Sequence, residues 1–248
     1  MDRRRRKDQS TSPLGRISGL FRYPVKSMRG EVLATATFDE RGLVGDRIWA
    51  ATFDDGRVGS GKSWQHVRRI PGLLDYSAAT TRHGVVVRSP DDVMYFVGDP
   101  ALDVELSAIA HNPIRVQAEG VVCHFDTAGV HLLSSQAIED LKGSCEPNTV
   151  GPQRFRPNVL LDLFAEGVLE SDLIGRCVAV GRSLVVRVNE TTERCVMVSH
   201  QNGPLPESKK VLKALAAKEF DMRLGVYATV ERPGDIAVGD VIRIIEDV

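Results

Sequence analysis

Long apolar runs are missing from this chain. Nowhere do about 18 residues pass without a charged or polar side chain, so no transmembrane helix is expected. The polar N-terminus lacks the apolar core of a secretory leader, and the chain reads as a cytoplasmic protein with no membrane partner. Cysteine is scarce, with four in 248 residues. Cys123, Cys145, Cys177 and Cys195 are 22, 32 and 18 residues apart, without a Cys-x-x-Cys pair. That spacing argues against a structural zinc site and an iron–sulfur cluster, and few thiols in a reducing compartment argue against disulfides. Each cysteine is therefore either core filler or chemistry. An excess of one charge is missing too: 32 basic residues meet 33 acidic ones. Residues 1–8 hold five basic and two acidic side chains, which leaves 27 basic against 31 acidic, or −4, in the rest. The basic run Arg3 to Lys7 reads as a solvated tail over residues 1–14, and no nucleic-acid partner is expected.

What the chain does have is a series of short runs rich in Val, Ile, Leu and Thr, broken by Gly, Pro, Asp and Asn. These read as strands over residues 16–22, 32–38, 46–53, 84–88, 113–118, 158–163, 177–188, 194–199, 225–231 and 240–245. A hairpin turn is expected at Gly181-Arg182. Two helices are expected: residues 135–142 behind Ser134 as N-cap, and residues 207–220, where Val211, Leu212, Leu215 and Phe220 form one stripe. Many short strands with few helices predict a mainly β, barrel or sandwich architecture.

Residues 56–63, Gly-Arg-Val-Gly-Ser-Gly-Lys-Ser, satisfy the phosphate-loop pattern literally. The loop needs a helix behind it, yet Pro71-Gly72 leaves room for only about two turns. Asp54-Asp55-Gly56 instead has hairpin-turn chemistry. A nucleotide hydrolase is therefore a minor alternative, and Lys62 is left as a cation for some other anion.

Three stretches carry more weight. The first is Tyr23-Pro24-Val25-Lys26-Ser27, followed by Gly45-Asp46-Arg47-Ile48-Trp49; the second is Arg154-Phe155-Arg156-Pro157-Asn158; the third is Arg194-Cys195, leading into Gln201-Asn202-Gly203. In this order and spacing the chain resembles the MOSC family, the domain found at the C-terminus of molybdenum-cofactor sulfurases and in amidoxime-reducing proteins. Gly225-Val226-Tyr227, Pro233-Gly234 and Val238-Gly239-Asp240 fit the family's closing strands.

The resemblance implies a β-barrel MOSC domain over residues 120–248, preceded by a smaller β-barrel-like domain over residues 15–119. It implies the molybdenum cofactor, molybdopterin, whose phosphate and soft metal call for cations, small donors and one soft ligand. Lys26, Ser27 and Arg47 would hold the phosphate, and Arg156 and Asn158 would contact the pterin and phosphate, with Ser134 a further hydroxyl and Arg194 beside the ligand. Cys195 would ligate molybdenum in an oxidoreductase acting on small N- or S-oxygenated substrates, with electrons from a separate electron-transfer protein. Alternatively, Cys195 would carry a persulfide supplied by a cysteine desulfurase, or the chain would only store the cofactor. The other three cysteines read as structural, and Thr192 stands where several family members have a second cysteine. On residue type alone, Arg156 also suits a surface ion pair and Cys195 a buried small side chain. His131 and His200 are candidate proton donors, with polar strand-end roles as the alternative. Trp49 and Trp64 read as core or rim aromatics.

Overall fold

The computed structural model describes residues 12–121, 123–217 and 219–246, so the basic run Arg3 to Lys7 lies outside the described residues. Its strands are β1 (Gly15–Arg22), β2 (Glu31–Leu33), β3 (Thr35–Asp39), β4 (Gly42–Leu43), β5 (Trp49–Phe53), β6 (Val58–Ser60), β7 (Val67–Arg69), β8 (Ser77–Thr81), β9 (Gly84–Arg88) and β10 (Met94–Phe96). Helix α1 (Pro100–Ala110) and β11 (Ile114–Ala118) complete the first half. The second half holds β12 (Val130–Ser134), α2 (Ser135–Lys142), the one-turn α3 (Pro152–Phe155), β13 (Val159–Leu163), β14 (Cys177–Val180) and β15 (Leu184–Glu193). It closes with α4 (Lys209–Leu215), β16 (Arg223–Arg232), β17 (Gly234–Ala237) and β18 (Val241–Ile245).

A barrel forms where β1 closes the order β13-β12-β16-β15-β14-β18 by pairing with both β18 and β13. Along β1, Ile17 points inward between outward Arg16 and Ser18, and a register shift against β13 between Ile17 and Gly19 turns Leu20 inward as well. Ile17, Leu20, Leu161, Val178, Val186, Val226 and Ile242 fill the interior, and each buried aliphatic side chain contributes about 1.5–3 kcal/mol. Because β1 pairs with β13 and β18, the barrel joins residues 15–22 to strands more than 130 residues further on. The small sheet β17-β3-β4 ties them together again.

A second core lies under β11-β5-β6-β7 and β10-β9-β8, where Phe53, Ile70, Tyr76, Val87 and Ile114 meet α1 through Leu102 and Leu106. Trp49 packs against this core, and Trp64 is exposed. Helix α1 is not among the expected helices. Asp99 caps it by accepting from Ala101 N and Pro100 opens it, but exposed Val104 between Leu102 and Leu106 gives the stretch a strand-like alternation.

Several expected strands change on folding. The expected strand 32–38 splits at Ala34, with β2 going to β1 and β3 to β17. The expected strand 46–53 begins only at Trp49, because Gly45 (φ 83°) and Arg47 (φ 53°) turn the chain first. The expected strand 194–199 does not form: β15 ends at Glu193 after register shifts against β16, and residues Val196–Ser199 form a 3-10 helix. Helix α2 matches its expected range, whereas the helix expected over 207–220 is limited to Lys209–Leu215. The phosphate-loop pattern lies on a hairpin: Gly56 (φ 81°) donates to Phe53 O at 2.9 Å, and the next element is strand β7 where a nucleotide fold needs a helix.

Candidate functional site

At the end of β1 the chain leaves the barrel through Tyr23-Pro24. Lys26 N donates to Trp49 O at 2.8 Å, Arg47 N donates to Tyr23 O at 2.8 Å, and Asp46 Oδ1 accepts from Tyr23 N at 2.7 Å. These bonds hold the first two motifs side by side. Three of the expected cofactor residues, Ser27 (φ 62°), Arg47 (φ 53°) and Arg156 (φ 57°), adopt the left-handed backbone that costs a non-glycine residue about 1 kcal/mol or more. Such strain persists only where the surroundings impose it, and here it falls on two arginines and a serine of the expected cofactor set.

Both Arg47 and Arg156 lie over the Tyr23 ring, at 4.9 and 4.2 Å. Arg47 is ion-paired to the buried Asp46, and its Nη2 donates to Arg156 O at 3.4 Å. Burial works against the Arg47 charge, but Asp46, Tyr23 and Tyr227 together outweigh it and the pKa moves up. Arg156 donates through Nη1 to Met28 O at 2.6 Å, while Nη2 has no partner and neither has the Tyr23 hydroxyl. Burial, and then the Arg47 charge, push the Arg156 pKa down to about 10. Lys26, only 8% exposed in its side chain, donates to His124 O at 2.6 Å and to Asp126 Oδ1 at 2.7 Å. Its pKa is lowered by burial against the opposing pull of Asp126.

From the other half come β12, α3 and the end of β15. Arg194 donates from Nε to Leu224 O at 2.8 Å and from Nη1 to Phe155 O at 3.1 Å, and its Nη2 lies 2.7 Å from His131 Nε2. His131 Nδ1 lies 3.2 Å from Arg156 O. A guanidinium can only donate and a carbonyl can only accept, so His131 is the neutral tautomer carrying its proton on Nδ1. Burial and then the Arg194 charge hold its pKa well below the ordinary value. His131 therefore links two arginines and is no proton donor at neutral pH. Glycine is required opposite it: at Gly225 (φ 85°) a Cβ would stand 2.4 Å from His131 Nε2.

Cys195 caps the 3-10 helix Val196–Ser199, half-buried, with Lys62 Nζ 3.4 Å from its Sγ. Lys62 comes from the hairpin that mimics a phosphate loop; the pattern was the only sequence signal for it. Arg154, which opens the second motif but was assigned no role from sequence, fastens the same 3-10 helix by donating to Val198 O and His200 O, each at 2.7 Å, and also to Thr149 O and Pro206 O. Among the described residues, no carboxylate bonds to Arg154, Arg156 or Arg194. Beside Lys62 a cavity of about 170 Å³ is lined by Gly61, Arg69, Asp75, His200, Gln201 and Glu207, and His200 Nε2 is buried without a partner.

Two expected residues make structural hydrogen bonds. Ser134 is fully buried and caps α2 by accepting from Ala137 N at 3.1 Å. Asn158 joins three strands: its Oδ1 accepts from His131 N at 3.1 Å and its Nδ2 donates to Phe21 O at 3.4 Å. Cys177 is buried, Cys145 is half-buried and Cys123 is exposed.

Comparison with known proteins agrees with this layout. The MOSC domain model matches residues 119–243, and the MOSC N-terminal beta barrel domain matches residues 14–128. The mouse mitochondrial amidoxime-reducing component 1 is 24% identical over 294 aligned positions, covering 96% of this chain and 84% of the mouse protein. The YuaD protein of Bacillus subtilis shares the fold, with a TM-score of 0.50 at 15% identity over 92% of this chain and 93% of its own. This chain belongs to the MOSC family, whose domains are associated with the molybdenum cofactor.

Proposed function

We propose that the cleft binds molybdopterin, with Cys195 as the protein's ligand to molybdenum, and that the protein is an oxidoreductase for small N- or S-oxygenated substrates. The observation that carries the proposal is a surplus of buried positive charge. Arg156 and Arg194 have no bonded carboxylate, Arg156 Nη2 is unpartnered, and Lys26 and Arg47 stand beside them. Buried unpaired charge is costly unless an anion answers it, and a phosphate offers bidentate acceptors to a guanidinium. The donor set therefore fits an anionic cofactor whose metal is soft enough to take a thiolate.

Arg47, Arg156, Lys26 and Ser27 would hold the phosphate. Arg194 and His131 keep Arg156 in place through its carbonyl oxygen, and Arg154 holds the turn that presents Cys195. Lys62 places an ammonium beside a sulfur that would be anionic as a ligand. When bound, the molybdenum centre supplies two-electron oxygen-atom chemistry. The cavity lined by Gly61 and His200 would limit substrates to small molecules. Electrons come from a separate carrier protein in this reading. We also propose that residues 15–119 and 120–248 are two parts of one cooperative unit, since β1 belongs to the barrel.

Cys195 is half-buried, with its sulfur open enough to meet Lys62, which also suits a persulfide carrier loaded by a cysteine desulfurase. The first reading is tested by oxidising the protein, purified from a molybdopterin-making host, and measuring released pterin fluorescence. The wild type should release pterin and Arg156→Gln should release little; an empty wild type would remove the proposal.

A further inference from the structure

The cavity beside the Cys195 turn encloses about 170 Å³. That is the space of about six water molecules, enough for a molecule of amino-acid size and too little for a drug-sized one. At Gly61 the cavity meets the neighbours of the sulfur. A Cβ there would stand 2.6 Å from Met197 Sδ and 3.4 Å from His200 Cδ2, and the next residue, Lys62, holds its Nζ 3.4 Å from Cys195 Sγ. Buried Ile70, Leu73 and Leu74 form an apolar wall, and charges of both signs, Arg69, Asp75 and Glu207, line the remainder.

The backbones of these three charged residues are fixed while their side chains stay unpaired. Arg69 N donates to Ser63 Oγ at 3.0 Å. Asp75 N donates to Gly72 O at 2.8 Å, and Asp75 O accepts from Arg29 Nη2 at 2.8 Å. Glu207 sits between Pro206, whose O accepts from Arg154 Nη2 at 2.7 Å, and Ser208, whose N donates to Ser199 O at 2.9 Å. Among the described residues none of the three side chains has an ion pair, and the one hydrogen bond to them runs from Gln201 Nε2 to Asp75 Oδ1 at 3.3 Å. A cation and two carboxylates that share a cavity without meeting are complementary to a ligand that carries both charges.

We infer that this cavity is the substrate subsite and selects a zwitterion: an α-amino acid whose side chain ends in a sulfoxide, its carboxylate on Arg69 and its ammonium on Asp75 and Glu207. The inference rests on the oxidoreductase reading and names the substrate class for it. A cationic substrate meets Arg69 and Lys62 as like charges, and a purely anionic one meets two carboxylates. The zwitterion finds both of its ends answered. The choice of oxide follows from Lys62. An ammonium only donates and a sulfoxide oxygen only accepts, whereas an N-hydroxylated amidine brings donors of its own. The side-chain methylenes would lie against Ile70, Leu73 and Leu74. In the reaction the S–O bond breaks, the sulfur gains two electrons and becomes a thioether, and the oxygen leaves with two protons as water. An external one-electron donor is oxidised twice.

The test has two readouts on the full chain. Calorimetry on the cofactor-free protein compares L-methionine sulfoxide with its N-acetyl derivative, which lacks the ammonium, and its methyl ester, which lacks the carboxylate. The free amino acid should bind at least tenfold more tightly than either. Arg69→Gln should lower its affinity to that of the methyl ester and leave the ester's own affinity within twofold of wild type, and Asp75→Asn should narrow its advantage over the N-acetyl derivative. Equal binding of the three ligands, a uniform loss in Arg69→Gln, or no binding at all would overturn the subsite. The cofactor-loaded protein, supplied with dithionite-reduced methyl viologen, should reduce the free amino acid with a kcat/KM at least tenfold above those of both derivatives and of an N-hydroxylated amidine. Turnover of the amidine or of either derivative at an equal or higher rate would overturn the assignment while the oxidoreductase reading stands. If the loaded wild type reduces none of the four compounds, the oxidoreductase reading falls and the substrate assignment falls with it, whatever calorimetry shows.

Discussion

Replacing Arg156 with glutamine should stabilise the cofactor-free protein while emptying its site. In the folded chain the Arg156 pKa falls to about 10 from an ordinary 12.5, a difference worth about 3 kcal/mol at most for a side chain that keeps some exposure. The sign follows from linkage. A base whose folded pKa is lowered binds its proton less well when folded, so the penalty is fully present below about pH 10 and fades as pH rises toward the unfolded value. Against this gain, glutamine gives up the bond to Met28 O and the stacking on Tyr23, together about 2 kcal/mol. Glutamine inherits the same left-handed backbone, so that cost cancels. The net is a gain of at most about 1 kcal/mol at pH 7, or at most about 2–4 °C in Tm for a chain of this size. Thermal and urea unfolding of cofactor-free wild type and Arg156→Gln would measure it, and the advantage should shrink by about pH 10.5. A variant destabilised by more than about 1 kcal/mol at pH 7 would refute the idea that Arg156 is an unanswered charge waiting for an anion.

Other consequences can be checked on the cofactor-free protein. Gly225→Ala places a Cβ against His131 Nε2 at a backbone angle that favours glycine; denaturation should show a loss of about 2–4 kcal/mol, with the histidine ring signals shifted by NMR. Asp126→Asn frees Lys26 from its carboxylate partner, so inorganic phosphate should bind more tightly by calorimetry, by about tenfold if the freed attraction is about 1.4 kcal/mol. A fragment of residues 120–248 lacks β1 and leaves β13 and β18 with open edges. It should be unfolded or aggregated by circular dichroism and light scattering, and a folded monomer would contradict the single cooperative unit.

Much of the site was legible because its pieces are local. Tyr23 to Ser27, Asp46-Arg47 and Arg154 to Asn158 each bring their donors within a few residues, and Ser134 reads as a cap because capping is a three-residue event. Lys62 was not legible as a site residue. It meets Cys195 from 133 positions away, and nothing in spacing says which loop will cross a barrel mouth. The separate strand expected over 194–199 failed for a related reason: Arg194 bonds to Leu224 O and Phe155 O, contacts far away in sequence, and the chain then turns into a 3-10 helix. His131 was legible as a functional type and misleading as a role, since only its two partners show that its proton is already committed. Helix α1 was hidden by one exposed valine that made an amphipathic helix alternate.

The central claim, that Cys195 holds molybdenum in a cleft of arginines, is tested most directly by elemental mass spectrometry. Wild type and Cys195→Ser would be purified from a host that makes molybdopterin and analysed for molybdenum per chain. The account predicts a value near one for the wild type and a clear loss in the variant, with circular dichroism unchanged. Equal molybdenum in both proteins would remove Cys195 as the ligand, and no molybdenum in either would contradict the cofactor site itself.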